Sequence, residues 1–271
     1  MKQFTFYILI IFLIFGCVHS NAQCKIENIY FKAGEELIYD MYFKYGLINT
    51  KAGKSSMTIS NDKLDGADVL KMQLIGNTSG FASKFVSLSD TLSSFMTKGL
   101  VPLAYFKNAH ESGDYTIEKA TYSYHNNKIV INTNRIKNGE PRFDEELSSE
   151  SCIYDMLSVV YYARTLDYST MKKGDKVGIS FLSGRNIANM SIEDHGIETV
   201  SANDNKKYEC IKLVLVINAD AFEDKKEAMT VYITNDSNRI PVRIDSKLKI
   251  GSTRAVLKNH KGNLHPVKVI N

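Results

Sequence analysis

The chain has 271 residues, with 34 Lys and Arg against 30 Asp and Glu, a formal net charge of +4. Its cations are scattered rather than blocked, which argues against a nucleic-acid partner. At 44% hydrophobic with 15 tyrosines the chain can build a core, and no low-complexity or Pro/Gly-rich linker divides it.

The N-terminus reads as an export signal. Lys2 gives a positive start, "FTFYILIIFLIFG" is an apolar core too short for a confident membrane span, and Ser20 and Ala22 stand at the small positions a signal peptidase needs. The expected signal peptide is 1–22. One β-rich domain, 23–271, follows it, with no transmembrane span in the mature chain and a periplasmic or envelope location. An alternative is a lipoprotein signal in which Gly16 precedes an acylated Cys17. Export permits disulfides. Of the three remaining cysteines, Cys24 and Cys152 sit at element edges, where a bridge is geometrically easy, and Cys210 lies inside an apolar run. A Cys24–Cys152 disulfide and three free thiols both stay open.

In chain order, "EELIYDMYFKY" places Leu37, Tyr39, Met41 and Phe43 on one face, and Gly46 turns into the alternating "TKAGKSSMTI". "NDKLDGAD" reads as a loop and "VLKMQLIG" as a strand. "SKFVSLSDTLSSFMT" continues the strand pattern up to the turn "KGLVP". "YTIEKATYSYH" and "KIVINTNRI" flank Asn126-Asn127, a tight-hairpin signal. "KNGEPRFDEELSSES" reads as a polar loop, and after it comes the one clear helix, about 155–166. Strands resume with "VGISFL", "NIANMSIED", "GIETVSA", "YECIKLVLVI", "AMTVYIT", "VRIDSKLKI" and "STRAVL". Roughly a dozen strands around one amphipathic helix predict a mainly β fold, a curved antiparallel sheet or open half-barrel.

Four blocks, "GEELIYDMYFKYGLINTKAGKSSMTI", "CIYDMLSVVYYAR", "KKGDKVGISF" and "DSNRIPVRIDSKLKIGSTRAVL", resemble the bacterial exported family of domain of unknown function 3108 along residues 30 to 258. The resemblance implies a mostly β envelope protein and no established activity. In shape it is also similar to the half-barrel carriers of the LolA/LolB group. The family pattern has proline directly after the helix aspartate, where this chain has Met156. Proline suits the first helical position, so the pattern implies Asp155 as N-cap, with Ser158 reaching back as in a capping box.

Ile153, Met156, Leu157 and Val160 form the apolar stripe of the helix, and Arg164 projects onto it. One reading lets Arg164 snorkel at the helix C-terminus. The other buries it, paired with a carboxylate or facing an anionic head group. Tyr161 and Tyr162 beside it read as packing residues. The candidate ligand-binding residues are Arg164, Tyr161, Tyr39 and Met41. With Leu37, Phe43, Met57 and Leu74 they would line a cavity suited to an acyl chain. Glu35-Glu36 and Glu145-Glu146 read as solvated charge. HExxH, CxxC, GxSxG and nucleotide-binding glycine motifs are absent from the sequence. No catalytic residue, metal or cofactor is therefore expected. The expected function is non-enzymatic binding of a lipid, lipoprotein or other apolar ligand. The alternative is a structural or interaction module engaging another envelope protein.

Overall fold

The structure is a computed structural model that describes residues 24–80, 87–125, 128–217, 229–247 and 251–270. The expected signal peptide and the Asn126-Asn127 turn lie outside these residues. The first eight strands are β1 (Glu36–Tyr45), β2 (Ile48–Leu64), β3 (Ala67–Thr78), β4 (Leu88–Met96), β5 (Pro102–Glu111), β6 (Asp114–His125), β7 (Lys128–Lys137) and β8 (Glu140–Ser149). A two-residue strand β9 (Ile153–Tyr154) and the helix α1 (Ser158–Thr165) come next. The chain closes with β10 (Lys176–Ser183), β11 (Asn186–Ser201), β12 (Lys207–Ile217), β13 (Met229–Thr234), β14 (Pro241–Lys247) and β15 (Ser252–Lys261).

All fifteen strands form one sheet. Two hairpin meanders, β1–β8 and β10–β15, join where β15 pairs antiparallel with β1. Every pairing is antiparallel except β9 on β10. The mainly β, barrel-like architecture with a single helix among the described residues is the one the strand pattern predicts.

The sheet rolls past closure. Alternate residues of a strand point to opposite faces. On β9 and β10, Tyr154, Ile179 and Phe181 join the helix residue Val159 in one buried cluster. Ile153 and Leu182 instead pack with Tyr105, Ala120, Tyr122, Ile129 and Ile131 of β5–β7. These strands are therefore buried on both sides, between the helix and the β5–β7 wall. The Thr133 hydroxyl donates to the Gly184 carbonyl across this overlap at 3.3 Å. Among the described residues no backbone ladder closes the roll, and β8 and β9 are the two ends of the strand order.

Four local expectations are corrected. "NDKLDGAD" is not a loop: β2 runs on to Leu64, and Asp65-Gly66, with φ of 51° and 83°, makes the whole turn. This is the tight hairpin turn that Asp-Gly favours. The polar stretch after Lys137 is strand β8, entered through Asn138-Gly139, again at positive φ. Its side chains are charged on both faces because it is the outer edge of the sheet. "NIANMSIED" and "GIETVSA" are one strand, β11, with a register shift between Asp194 and Ile197. The regular helix is also shorter than 155–166. It begins after a turn at 156–157 and ends before Leu166, which is extended at ψ 145°.

Candidate functional site

The candidate residues converge where α1 enters the roll. Asp155 lies ahead of the helix. Its carboxylate accepts from the backbone N–H groups of Leu157 and Ser158 at 2.9 and 2.8 Å, and the Ser158 hydroxyl accepts from the Asp155 N–H at 2.8 Å. This is the reciprocal geometry of a capping box, closed one turn before the regular helix. The other Asp155 oxygen accepts from the Ser94 hydroxyl of β4 at 2.7 Å, which anchors the helix start to the sheet. Burial pushes the Asp155 carboxyl up from its ordinary value, against the pull of these hydrogen bonds.

Tyr161 of α1 and Leu157 in the turn before it enter the central cluster, and Val160 packs against it. They meet Leu37, Tyr39, Met57, Ile59, Met72 and Met96 from β1–β4, with Leu257 and Val242 from β14–β15. Of the residues expected to line a cavity, Leu37, Tyr39 and Met57 pack here with Leu74 against them, whereas Phe43 does not join the cluster; Tyr39 is 1% exposed and Tyr161 is 0% exposed. The Tyr39 hydroxyl donates to the Pro241 carbonyl at 2.9 Å. The Tyr161 hydroxyl has no hydrogen-bond partner among the described residues. Met41 shares the Tyr39 face of β1 but is half-buried, outside the central cluster.

Arg164 is fully buried, so it does not snorkel to water. Its two terminal nitrogens donate to the two Glu35 oxygens at 2.6 and 2.9 Å, a bidentate pair. Nη2 also donates to the Asn238 carbonyl at 2.8 Å. The guanidinium lies over the Phe31 and Tyr161 rings at 4.7 and 5.7 Å. Burial alone would draw its pKa down, but the Glu35 charge and hydrogen bonds outweigh burial and hold it above the ordinary value. The Glu35-Glu36 pair is thus split by the start of β1. Glu36 is partly exposed and Glu35, at 2% exposure, is a core residue rather than solvated charge.

The "NDSNRIP" turn between β13 and β14 completes the arrangement. One Asp236 oxygen accepts from the Thr234 hydroxyl and from the backbone N–H of Asn238 and Arg239. This turn holds Arg239 at φ 50° and points it at the helix end. There Arg239 donates to the carbonyls of Arg164 and Leu166, between the rings of Tyr30 and Tyr168 at 4.1 and 5.0 Å. A cation on the last carbonyls of a helix is favourable. In the sequence Glu35 reads as solvated charge, and neither Asn238 nor Arg239 stands out. The signal for the last two was the "DSNRIPV" block itself. Glu35, 129 residues from Arg164, had none.

Cys24 and Cys152 are joined by a disulfide that ties the N-terminal segment to the start of β9, and Cys210 is a buried free thiol. Among the described residues no group of three or more His, Cys, Asp or Glu is placed to hold a metal ion. An open cleft of about 750 Å³ lies beyond the helix C-terminus, lined by Tyr30, Tyr168, Lys173, Asp236, Arg239 and Lys268.

The architecture defines a class: barrel-like β proteins whose rolled sheet is filled by an internal helix. Within it, the chain belongs to the family described as "Protein of unknown function (DUF3108)", whose model matches residues 38–258. A search of curated proteins gives no match. Among solved structures, the chain is similar to a beta-barrel-like protein of domain of unknown function DUF1849 from Brucella abortus. The TM-score is 0.59 at 6% identity, over 90% of this chain and all of that one. At that identity the likeness concerns the fold alone. A putative lipoprotein from Parabacteroides distasonis aligns over 87% of this chain and all of that one at 11% identity, and its TM-score of 0.35 carries no argument. No helix among the described residues is long and apolar enough to cross a membrane.

Proposed function

We propose that the protein is an exported, non-enzymatic interaction module of the cell envelope, a solid scaffold that acts through its outer surface. The observation that carries this reading is the filled roll. Leu37, Tyr39, Met57, Leu157 and Tyr161, the side chains best suited to line an acyl-chain cavity, are each at most 2% exposed and pack on one another. The cation that could have met a head group is taken by Glu35. Carriage of an apolar ligand in the interior would require α1 to leave the roll. That breaks the Arg164–Glu35 pair and the Asp155–Ser94 hydrogen bond together. The export part rests on the leader read in residues 1–22.

Native mass spectrometry of protein extracted mildly from the envelope fraction checks both parts. The expected result is a mass starting at Gln23, free of ligand, with no uptake of a displaceable lipophilic probe. A co-purifying lipid that the probe displaces would overturn the reading in favour of carriage.

A further inference from the structure

Pairing register sets one face of the sheet apart. Tyr42 of β1 lies opposite Lys51 on β2 and Arg254 on β15, and Asp40 lies opposite Lys54 and Val256. Arg243 pairs with Val256 and Asp245 with Arg254. Directly opposed residues share a face, so Lys44, Lys51, Lys54, Arg243 and Arg254 project together, and Lys258 reaches the same cluster through Asp40.

Two carboxylates answer them. Asp40 takes Lys51 at 2.6 Å and Lys258 at 3.7 Å, and Asp245 takes Arg243 at 2.7 Å and Arg254 at 2.6 Å. Lys44 and Lys54 meet no carboxylate among the described residues. These six cations outnumber the two carboxylates that pair with them. A cleft of about 650 Å³ opens in the same face, with Tyr42, Lys44, Asn49, Asn203, Arg243 and Arg254 in its walls.

The tip of the β1–β2 hairpin stands next to this face. Tyr45 there is 55% exposed and Leu47 is 105% exposed. Gly46 turns the chain between them at φ 55°. A single exposed apolar side chain is ordinary. An exposed Tyr and Leu on a hairpin tip, directly joined to a face where cations outnumber carboxylates, is the combination that peripheral membrane binding uses. Apolar side chains enter the headgroup boundary, tyrosine sits at its level, and Lys and Arg meet anionic lipid.

We propose that the β1–β2 hairpin tip, with the cationic face around it, docks the protein on an anionic lipid surface. The inference names the surface on which the envelope module proposed above would act. It depends on that reading for its setting but not for its physics. Vesicle binding by the purified protein and export in cells are measured separately, so either can fail alone.

The test is co-sedimentation of the processed chain with vesicles of phosphatidylcholine, with or without phosphatidylglycerol. Partition onto the anionic vesicles alone is expected, falling as salt is raised. Each basic residue near such a surface contributes about 1 kcal/mol, roughly five-fold in partition. The double reversal Lys44→Glu with Arg254→Glu should therefore lower partition by more than ~10-fold. Tyr45→Ser with Leu47→Ser should lower it too, without flattening the salt dependence. If Arg254→Glu fails to fold because Asp245 loses its partner, Lys44→Glu with Lys54→Glu serves in its place. Reversal of Lys63 and Lys128, at the opposite ends of β2 and β7, should leave partition unchanged. Equal binding to both vesicle types, wild-type binding by the tip and face variants, or equal loss in the Lys63/Lys128 control would each overturn the proposal. So would binding to inorganic polyphosphate without binding to vesicles.

Discussion

Arg164 has no route to water, and a single carboxylate meets it. Taking two charges into a core is costly, and removing one partner leaves the other uncompensated, which costs about 3–5 kcal/mol. Arg164→Ala and Glu35→Ala should each lose about that much in denaturant unfolding. The double variant Arg164→Met with Glu35→Leu should recover most of it, because a well-packed apolar pair replaces a buried ion pair at little cost. Additive losses in the double variant would show that the two residues act apart. Asp90 is a further buried carboxyl whose titration can be followed. Burial, and after it the nearby Glu111 charge, raises its carboxyl from 3.8 to about 6. Burial would raise Glu111 as well, but the Lys107 hydrogen bond at 2.9 Å and its charge hold Glu111 low. A raised carboxyl favours the fold when protonated. Its contribution is complete below the unfolded value and is lost as pH rises through about 6. Asp90→Asn mimics the protonated form. Its melting temperature should match the wild type below pH ~4, exceed it increasingly as pH rises from ~4 to ~6, and keep a constant lead above that. A difference that does not change with pH would refute the assignment. Neither residue's environment was legible in the sequence. Glu35 looked like half of a solvated pair, because adjacency in sequence hides that neighbouring strand residues face opposite ways.

At the scale of elements, legibility follows what each element is buried against. The core face of β1 could be read because Leu37 and Tyr39 meet the core while Asp40 meets Lys51 and Asn203, although a register shift interrupts each of its two pairings. β8 could not. An edge strand with one neighbour, carrying Glu140, Arg142, Asp144, Glu145 and Glu146 in exposed positions, has the composition of a loop. That charge is what keeps an unpaired edge from recruiting other chains. The same polar bias concealed the end of β2, where only Asp65-Gly66 leaves the strand. The helix was legible because its signals are local. The Asp155 and Ser158 groups that start it lie three residues apart, and both are satisfied within the turn. Its C-terminus was not legible. The group that meets the last carbonyls, Arg239, comes from a turn 73 residues beyond Leu166, and no periodicity reports that.

For the whole molecule, the question is what holds a fifteen-stranded roll shut when its ends share no backbone ladder. A closed barrel abolishes its edges through hydrogen bonds. Here the overlap of β9–β10 beneath β5–β7 is held by side chains, and the N-terminal segment completes the closure. Ile26 donates its N–H to the Gly99 carbonyl at 2.9 Å, Phe31 stacks edge-on against Tyr161 at 5.2 Å, and Glu35 takes Arg164. The Cys24–Cys152 disulfide fastens that segment to the strand tucked inside, across a sequence separation of 128. A long closed loop removes much freedom from the unfolded chain, and loss of a native bridge of this kind costs about 2–5 kcal/mol. Cys24→Ser, Cys152→Ser and the double variant should each be destabilised by about that amount, and all by the same amount, since either substitution abolishes the bond. Thiol titration of the processed chain should find no reactive thiol in the native state, where Cys210 is buried, and one after denaturation. Three thiols in denaturant, or a double variant as stable as the wild type, would mean that packing alone shuts the roll. If the bond carries the load, reduction should expose the N-terminal segment to protease before the sheet itself unfolds. The segment's remaining ties to the roll are a few hydrogen bonds, the packing of Ile26, Tyr30 and Phe31 and the Glu35–Arg164 pair, whereas β1–β15 stay joined by the full ladder.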